Sequence, residues 1–197
     1  MPTLVLITGY ARSGKDTFAL GIESAAKRSD VAHINYADGL KESANKFLEW
    51  VGLHDGDEMD FFDDDFKAKH RNVLVELGRF ARSYDRDIFA KMLCADAAEF
   101  HSEKRREQTL RDTLVVSSDW RYWNELKVAQ RSLGADGWRI ITVRINTVGV
   151  WAANDEEGLS IGEITRETKP DYEYTFAQGS AACVEAEGRF LARTLGL

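Results

Sequence analysis

Apolar positions along the chain follow two alternating rhythms. Short, nearly continuous apolar runs at 3–8, 31–36, 113–117, 138–145 and 172–177 read as strands. Helical spacing fills the intervals. Residues 15–27 carry Phe18, Leu20, Ile22 and Ala25 on one face, and a helix from Asp38, a fitting cap, to about Val51 carries Leu40, Ala44, Phe47 and Leu48. Two more helices are expected at 71–83 and 87–102. A further one at 120–132 has Ser118 or Asp119 as its cap, and one at 180–195 closes the chain. Residues 146–169 show no clear period and read as a loop with at most one helical turn, ended by Pro170. Apolar strands alternating with helices imply an α/β protein with a parallel sheet covered on both faces.

The 197 residues contain no repeat, no low-complexity segment and no Gly/Ser-rich linker, so one domain is expected over 1–197. No apolar run approaches the length of a membrane span, and the chain enters a strand at once with no basic leader, so neither membrane insertion nor secretion is expected. Cys94 and Cys183 lack metal-ligand spacing, which fits a reducing cytoplasm, and Cys94 sits in an apolar helical pattern as a core residue. A net charge of −7 argues against a surface that coats polymeric nucleic acid, because such a surface must neutralise phosphates. The acid is concentrated in "HDGDEMDFFDDDF" at 54–66, whose spacing is not that of a calcium loop and which reads as a solvated loop or helix edge. The four histidines form no pattern and are assigned no role.

Chemistry enters with "GYARSGKDT", Gly9 to Thr17, placed directly after the first strand and at the mouth of the first helix. It differs by one letter from the phosphate-binding loop G-x-x-x-x-G-K-S/T. In that unit successive backbone N–H groups and a helix N-terminus surround an anion. Gly9 and Gly14 allow close backbone approach, Ala11, Arg12 and Ser13 complete the cradle, and Lys15 reaches the outer phosphates. Asp16 stands where a magnesium-binding hydroxyl is expected. It can hold Mg²⁺ itself or serve as a favourable first-turn acid, with Thr17 as a phosphate contact.

"ARSGKDT" resembles the loop of phage deoxynucleoside monophosphate kinases, and phosphomevalonate kinases of the P-loop type share its G-K-D variant. Three further stretches are similar to the first family. "YADGLKESA" (36–44) resembles its F-A-x-P-L-K segment, with Gly39 in place of proline. "RNVLVELGRFARSYDRDIFAKML" (71–93) resembles R-x-L-L-Q-x-L-G…R…D-P-D-x-W, with Glu76, Arg86 and Phe89 replacing Gln, Pro and Trp. "VVSSDWRYWNELKVAQ" (115–130) resembles D-V-R-F-x-N-E. Past about residue 145 the likeness is thin, and "EITRE" (163–167) only echoes the family's lid segment.

The resemblance implies a P-loop NTPase fold of the nucleoside monophosphate kinase type, with five parallel strands in the order 2-3-1-4-5. It also implies transfer of the ATP γ-phosphate to a deoxynucleoside 5′-monophosphate. The same fold acting on phosphomevalonate, dephospho-coenzyme A or AMP is the neighbouring alternative, and an ATPase or nucleotide switch the more distant one. ATP and Mg²⁺ are the expected cofactors and a small molecule the expected partner. The family's frequent dimers leave a homodimer open, and a phage-encoded chain would work in the host cytoplasm. Acceptor binding is expected within about 37–100 and a mobile lid at about 150–169. Lys15, Arg12, Asp119, Arg121 and Arg166 are the candidates for catalysis, Arg144 for the nucleotide, and Asp38, Lys41, Arg82 and Asp87 for the acceptor. Asp16 and Asp119, the latter resembling a Walker-B carboxylate, are the candidate metal ligands. Asn124 and Glu125 read as structural, and Phe61, Phe62, Phe80 and Tyr84 as walls of a deoxyribose pocket.

Overall fold

A computed structural model describes residues 1–53 and 59–197. The described residues form β1 (Thr3–Thr8), α1 (Lys15–Ala25), β2 (Ser29–His33), α2 (Asp38–Trp50), α3 (Asp64–Lys69), α4 (Arg71–Tyr84), α5 (Ile88–Arg106), β3 (Asp112–Ser117), α6 (Trp123–Ser132), β4 (Arg139–Thr147), α7 (Asp155–Glu167), β5 (Tyr172–Phe176) and α8 (Ala181–Leu195). All five strands are parallel, in the order β2-β3-β1-β4-β5. No described helix is long and apolar enough to cross a membrane.

β1 is central and fully buried, which explains its unbroken apolar run. Its side chains alternate between two cores. Leu4 and Leu6 join Ala90, Leu93, Cys94, Trp120, Leu126, Ile161 and Ile164 beneath α5, α6 and α7. Val5 and Ile7 join Phe18, Ile22, Val184 and Leu191 beneath α1 and α8. Cys94 is indeed a core residue, and burial pushes its thiol up to about 11. In register, Thr8 at the end of β1 stands beside Arg144. The chain therefore leaves the centre of the sheet at its C-terminal edge, where open α/β folds bind ligands.

Three local expectations are corrected. Asp38 does not cap α2. Ala37 holds the N-cap position, and Asp38 is the first helical residue, its carboxylate accepting from Asn35 N–H at 2.8 Å and Lys41 Nζ at 2.9 Å. Neither Ser118 nor Asp119 caps α6, which starts at Trp123. There the Glu125 carboxylate accepts from Arg121 N–H and Tyr122 N–H, both at 2.9 Å, and so closes the entry turn. The loop expected at 146–169 contains the thirteen-residue helix α7, capped by Asn154. Its buried face comprises Glu157, Ser160, Ile161 and Ile164, half of it polar, so no apolar period betrays the helix. Of the acidic stretch, residues 54–58 lie outside the described residues, while Asp63 caps the short helix α3.

α1 and α8 pack backbone to backbone. A methyl group on Gly188 would stand 2.3 Å from the Phe18 carbonyl oxygen, and one on Gly21 would stand 2.2 Å from that of Glu185. Gly188→Ala is expected to destabilise the protein by about 1–3 kcal/mol through overpacking, read as a fall in Tm. An unchanged Tm would show that the two helices slide apart freely.

Candidate active site

After Thr8 the chain turns at Gly9, with φ of +149°, so close to β4 that a Cβ would stand 2.3 Å from the Ile145 carbonyl oxygen. Ser13 N–H donates to Tyr10 O at 3.1 Å, and Thr147 Oγ donates to Ser13 O at 2.9 Å. Arg12 and Gly14 adopt positive φ of 64° and 88°, and α1 begins at Lys15. The loop is thus a turn of backbone amides ending on a helix N-terminus, a fixed positive concavity suited to phosphate oxygens. Thr8 Oγ1 and Ser13 Oγ are buried with no hydrogen-bond partner, so the cradle holds uncommitted polar atoms.

Lys15 folds over this turn, its Nζ donating to Tyr10 O at 2.8 Å. Burial and the nearby Arg121 cation hold its pKa below the ordinary lysine value, opposed by the carboxylates of Asp16, Glu157 and Asp119. The fold therefore gathers Lys15, Asp16, Asp119 and Arg121, which the sequence separates by about a hundred positions. Asp16 accepts from Ser118 Oγ at 2.6 Å, which ties the start of α1 to the end of β3. Behind Ser118, His33 Nε2 lies 3.2 Å from the hydroxyl, and His33 Nδ1 lies 2.6 Å from Glu23. The hydrogen bond to Glu23 raises the His33 pKa. Asp119 uses one carboxylate oxygen on Tyr36 N–H (2.8 Å) and Ser117 Oγ (3.2 Å), and the other on Ala37 N–H (2.9 Å). Burial raises its pKa, and the two amides oppose that rise. Among the described residues no three His, Cys, Asp or Glu side chains converge as a metal cage. A divalent cation at this edge would be held by Asp16 in company with ligand oxygens, the usual economy of Mg²⁺ sites.

A second concavity lies alongside. Arg82 is sandwiched between the rings of Phe89 and Tyr122, its guanidinium carbon 4.9 Å from each centroid. With Arg86, Ala90, Asn124 and Glu125 these residues line a cavity of about 110 Å³. Asp87 is held by Asn124 Nδ2 at 2.8 Å, and Arg131 stands 3.6 Å away. Burial pushes Glu125 up to about 8, and the nearby Tyr36 hydroxyl is buried without a partner. Lys41 bonds Asp38 and covers the Phe62 ring at 4.8 Å.

Other expected residues lie elsewhere. Phe61 is 1 % exposed and packs edge-on against Phe66, so it is core and no pocket wall. Phe80 and Tyr84 are exposed and meet edge to face. Arg144 and Arg166 share a separate depression of about 330 Å³ with Lys169 and Glu173. Arg166, paired with Glu167 at 3.3 Å, is in the last turn of α7. That places it roughly 14 Å along the helix from Glu157, so α7 does not bring Arg166 to Lys15. Residues given no functional role by the sequence reading also meet here: His33, Ser118, Tyr122 and Glu157. Only Glu157 carried a signal, standing three residues after Asn154 in the manner of a capping box.

No protein-family model and no curated protein matches the chain in sequence. Among solved structures, the Mycobacterium tuberculosis APS kinase CysC, in complex with AMPPNP and APS, superposes with a TM-score of 0.52 at 16% identity, covering 100% of this chain and 98% of that one. The chain shares the fold of that kinase. A gluconokinase from Sinorhizobium meliloti 1021 lies further off, with a TM-score of 0.45 at 12% identity over 99% of this chain and 96% of that one. The shared fold, with sheet order 2-3-1-4-5, accounts for the position of the Gly9–Thr17 turn at the end of the central strand.

Glu125 makes a testable pH dependence. Its folded-state pKa is raised above that of an unfolded carboxylate, so its contribution to stability is complete below about pH 4.5 and is lost as pH rises through about 8. Glu125→Gln, which keeps an acceptor, should flatten the Tm–pH curve between pH 5 and 8. Parallel curves for the two proteins would show that Glu125 titrates normally.

Proposed function

We propose that the chain transfers the γ-phosphoryl group of ATP to a deoxynucleoside 5′-monophosphate. The observation that carries this reading is that one short segment, 117–125, serves both concavities. Ser118 holds Asp16, Asp119 holds the mouth of α2, Arg121 flanks Lys15, Tyr122 covers Arg82, and Glu125 lines the cavity. A donor phosphate on the Gly9–Thr17 turn and an acceptor phosphate at Arg82 would thus be positioned by a single rigid connection. The fold neighbour was solved with AMPPNP and APS together.

In the proposed reaction an acceptor phosphate oxygen attacks the γ-phosphorus, the bond to the β–γ bridging oxygen breaks, and ADP leaves. Several negative oxygens come together, so the protein's work is positioning and charge neutralisation. Lys15 and Arg121 supply positive charge beside the loop, with Arg12 at its rim. Arg82, preorganised by the two rings, grips the acceptor phosphate with its planar fork, and Lys41, Asp38 and Asp87 border that side. Asp16 and Asp119 are the residues that would hold Mg²⁺, which would supply charge neutralisation at the phosphates. The deoxy preference rests on the family resemblance at 71–93. An apolar pocket rejects an added hydroxyl only to about a hundredfold, so discrimination against ribonucleotides should be incomplete.

A coupled ADP-release assay over dNMPs, NMPs, phosphomevalonate and dephospho-coenzyme A tests the reading. ADP should form mainly when a dNMP is present. Equal ADP release without any acceptor would make the chain an ATPase, and a better rate with phosphomevalonate or dephospho-coenzyme A would change the acceptor. Lys15→Ala should lower kcat by about 10²–10³, the scale for removing one preorganised charge stabiliser, with Tm unchanged. Arg82→Lys should raise KM for the monophosphate by roughly tenfold or more and KM for ATP by less than about twofold, because only the bidentate fork is lost. A parallel rise in both constants would remove Arg82 from the acceptor side.

A further inference from the structure

We propose that Glu157 is a positioning residue that sets the shape of the phosphate-binding turn from the first turn of α7. This inference rests on the nucleotide reading above and adds a residue that neither the motif nor the family likeness contains. Glu157 is 8 % exposed. One carboxylate oxygen accepts from Ala11 N–H at 3.0 Å, inside the turn. The other accepts from Ala153 N–H at 2.7 Å, on the segment that leads into α7. An ordinary capping box spends its glutamate on its own helix entry. Here the same carboxylate also reaches across to another part of the chain.

The turn needs such a tie. Arg12 follows Ala11 with φ of 64°, a left-handed conformation unusual for a residue with a Cβ. On its C-terminal side the turn is fixed by Thr147 Oγ on Ser13 O and by Ser13 N–H on Tyr10 O. On its N-terminal side the bond from Ala11 to Glu157 adds a tie to α7, beside the approach of Gly9 to Ile145 and the bond from Lys15 to Tyr10 O. Glu157 in turn is anchored by α7 itself, whose Ile161 and Ile164, each 2 % exposed, lie in the core. Core packing of α7 is therefore transmitted to Ala11 through one side chain. Glu157 also faces Lys15 as one of three carboxylates that favour its charged form. The preceding residue, Glu156, accepts from the Tyr122 hydroxyl at 2.7 Å, and the Tyr122 ring covers Arg82. The first turn of α7 thus touches both concavities, with Glu157 on the donor side.

The test compares Glu157→Ala, Glu157→Gln and Asn154→Ala in the full chain. AMPPNP binding is measured by calorimetry and the Ala11 amide by hydrogen exchange. Asn154→Ala loosens the same helix entry without touching the loop, and so reports a merely structural effect. Glu157→Ala should weaken AMPPNP binding by about tenfold and speed exchange at Ala11, in keeping with the steep cost of small misplacements at such sites. Glu157→Gln keeps one accepting oxygen, so it satisfies one amide of the two and should fall between. Asn154→Ala should leave AMPPNP affinity within about twofold even where its Tm falls. If Glu157→Ala does not fold, the Gln variant carries the comparison. Wild-type affinity in the folded Glu157 variants, or an equal loss in Asn154→Ala, overturns the proposal. A wild-type protein that binds no AMPPNP overturns the nucleotide reading instead.

Discussion

The approach of Gly9 to the Ile145 carbonyl is the constraint on which the site depends. No side chain fits there, so the chain must leave β1 flush against β4. From that point the turn can close on Tyr10, pass through Gly14 with positive φ and start α1 beneath it. α1 is held in place by its backbone contact with α8 at Gly21 and Gly188. The anion cradle is a consequence of how tightly three backbones meet, and the lysine is an addition to it.

Around this cradle three acids do similar structural work. Asp119, Glu125 and Glu157 each accept from two backbone N–H groups: Tyr36 and Ala37, Arg121 and Tyr122, Ala11 and Ala153. A carboxyl group that accepts from two amides satisfies both buried donors and fixes the loop that carries them. With these three side chains committed to amides, Lys15 and Arg82 have no direct carboxylate partner within salt-bridge distance among the described residues. Arg82 is held by two aromatic rings, which orient the fork without satisfying its donors. The result is positive charge with open hydrogen-bonding capacity on a chain whose net charge is −7.

The dual role of 117–125 also explains why neither Ser118 nor Asp119 caps α6. Asp119 follows an apolar strand and precedes a helix, so it satisfies every local criterion for an N-cap. It turns instead toward α2, because Tyr36 and Ala37 present two amides closer than the helix it precedes. Asp38 is displaced in the same way, closing the turn at Asn35. Short acids choose among nearby amides, and which amides are near is a property of the packed chain.

What the sequence alone determined is the local grammar of this protein. Five apolar runs and the helical periods between them specified the alternating sheet, because burial on both faces leaves a direct mark on composition. The spacing of Gly9, Gly14 and Lys15 marked the anion turn, because only small residues permit it. Tertiary structure decided what has no local signature. α7 escaped detection because its inner face is half polar, with Glu157 and Ser160 buried beside Ile161 and Ile164. The chain from His33 through Ser118 to Asp16, the stacking of Tyr122 and Phe89 on Arg82, and the reach of Glu157 to Ala11 join residues far apart in sequence. Their partners are chosen by where strands end and helices cross, and a single sequence records the residues without recording those meetings.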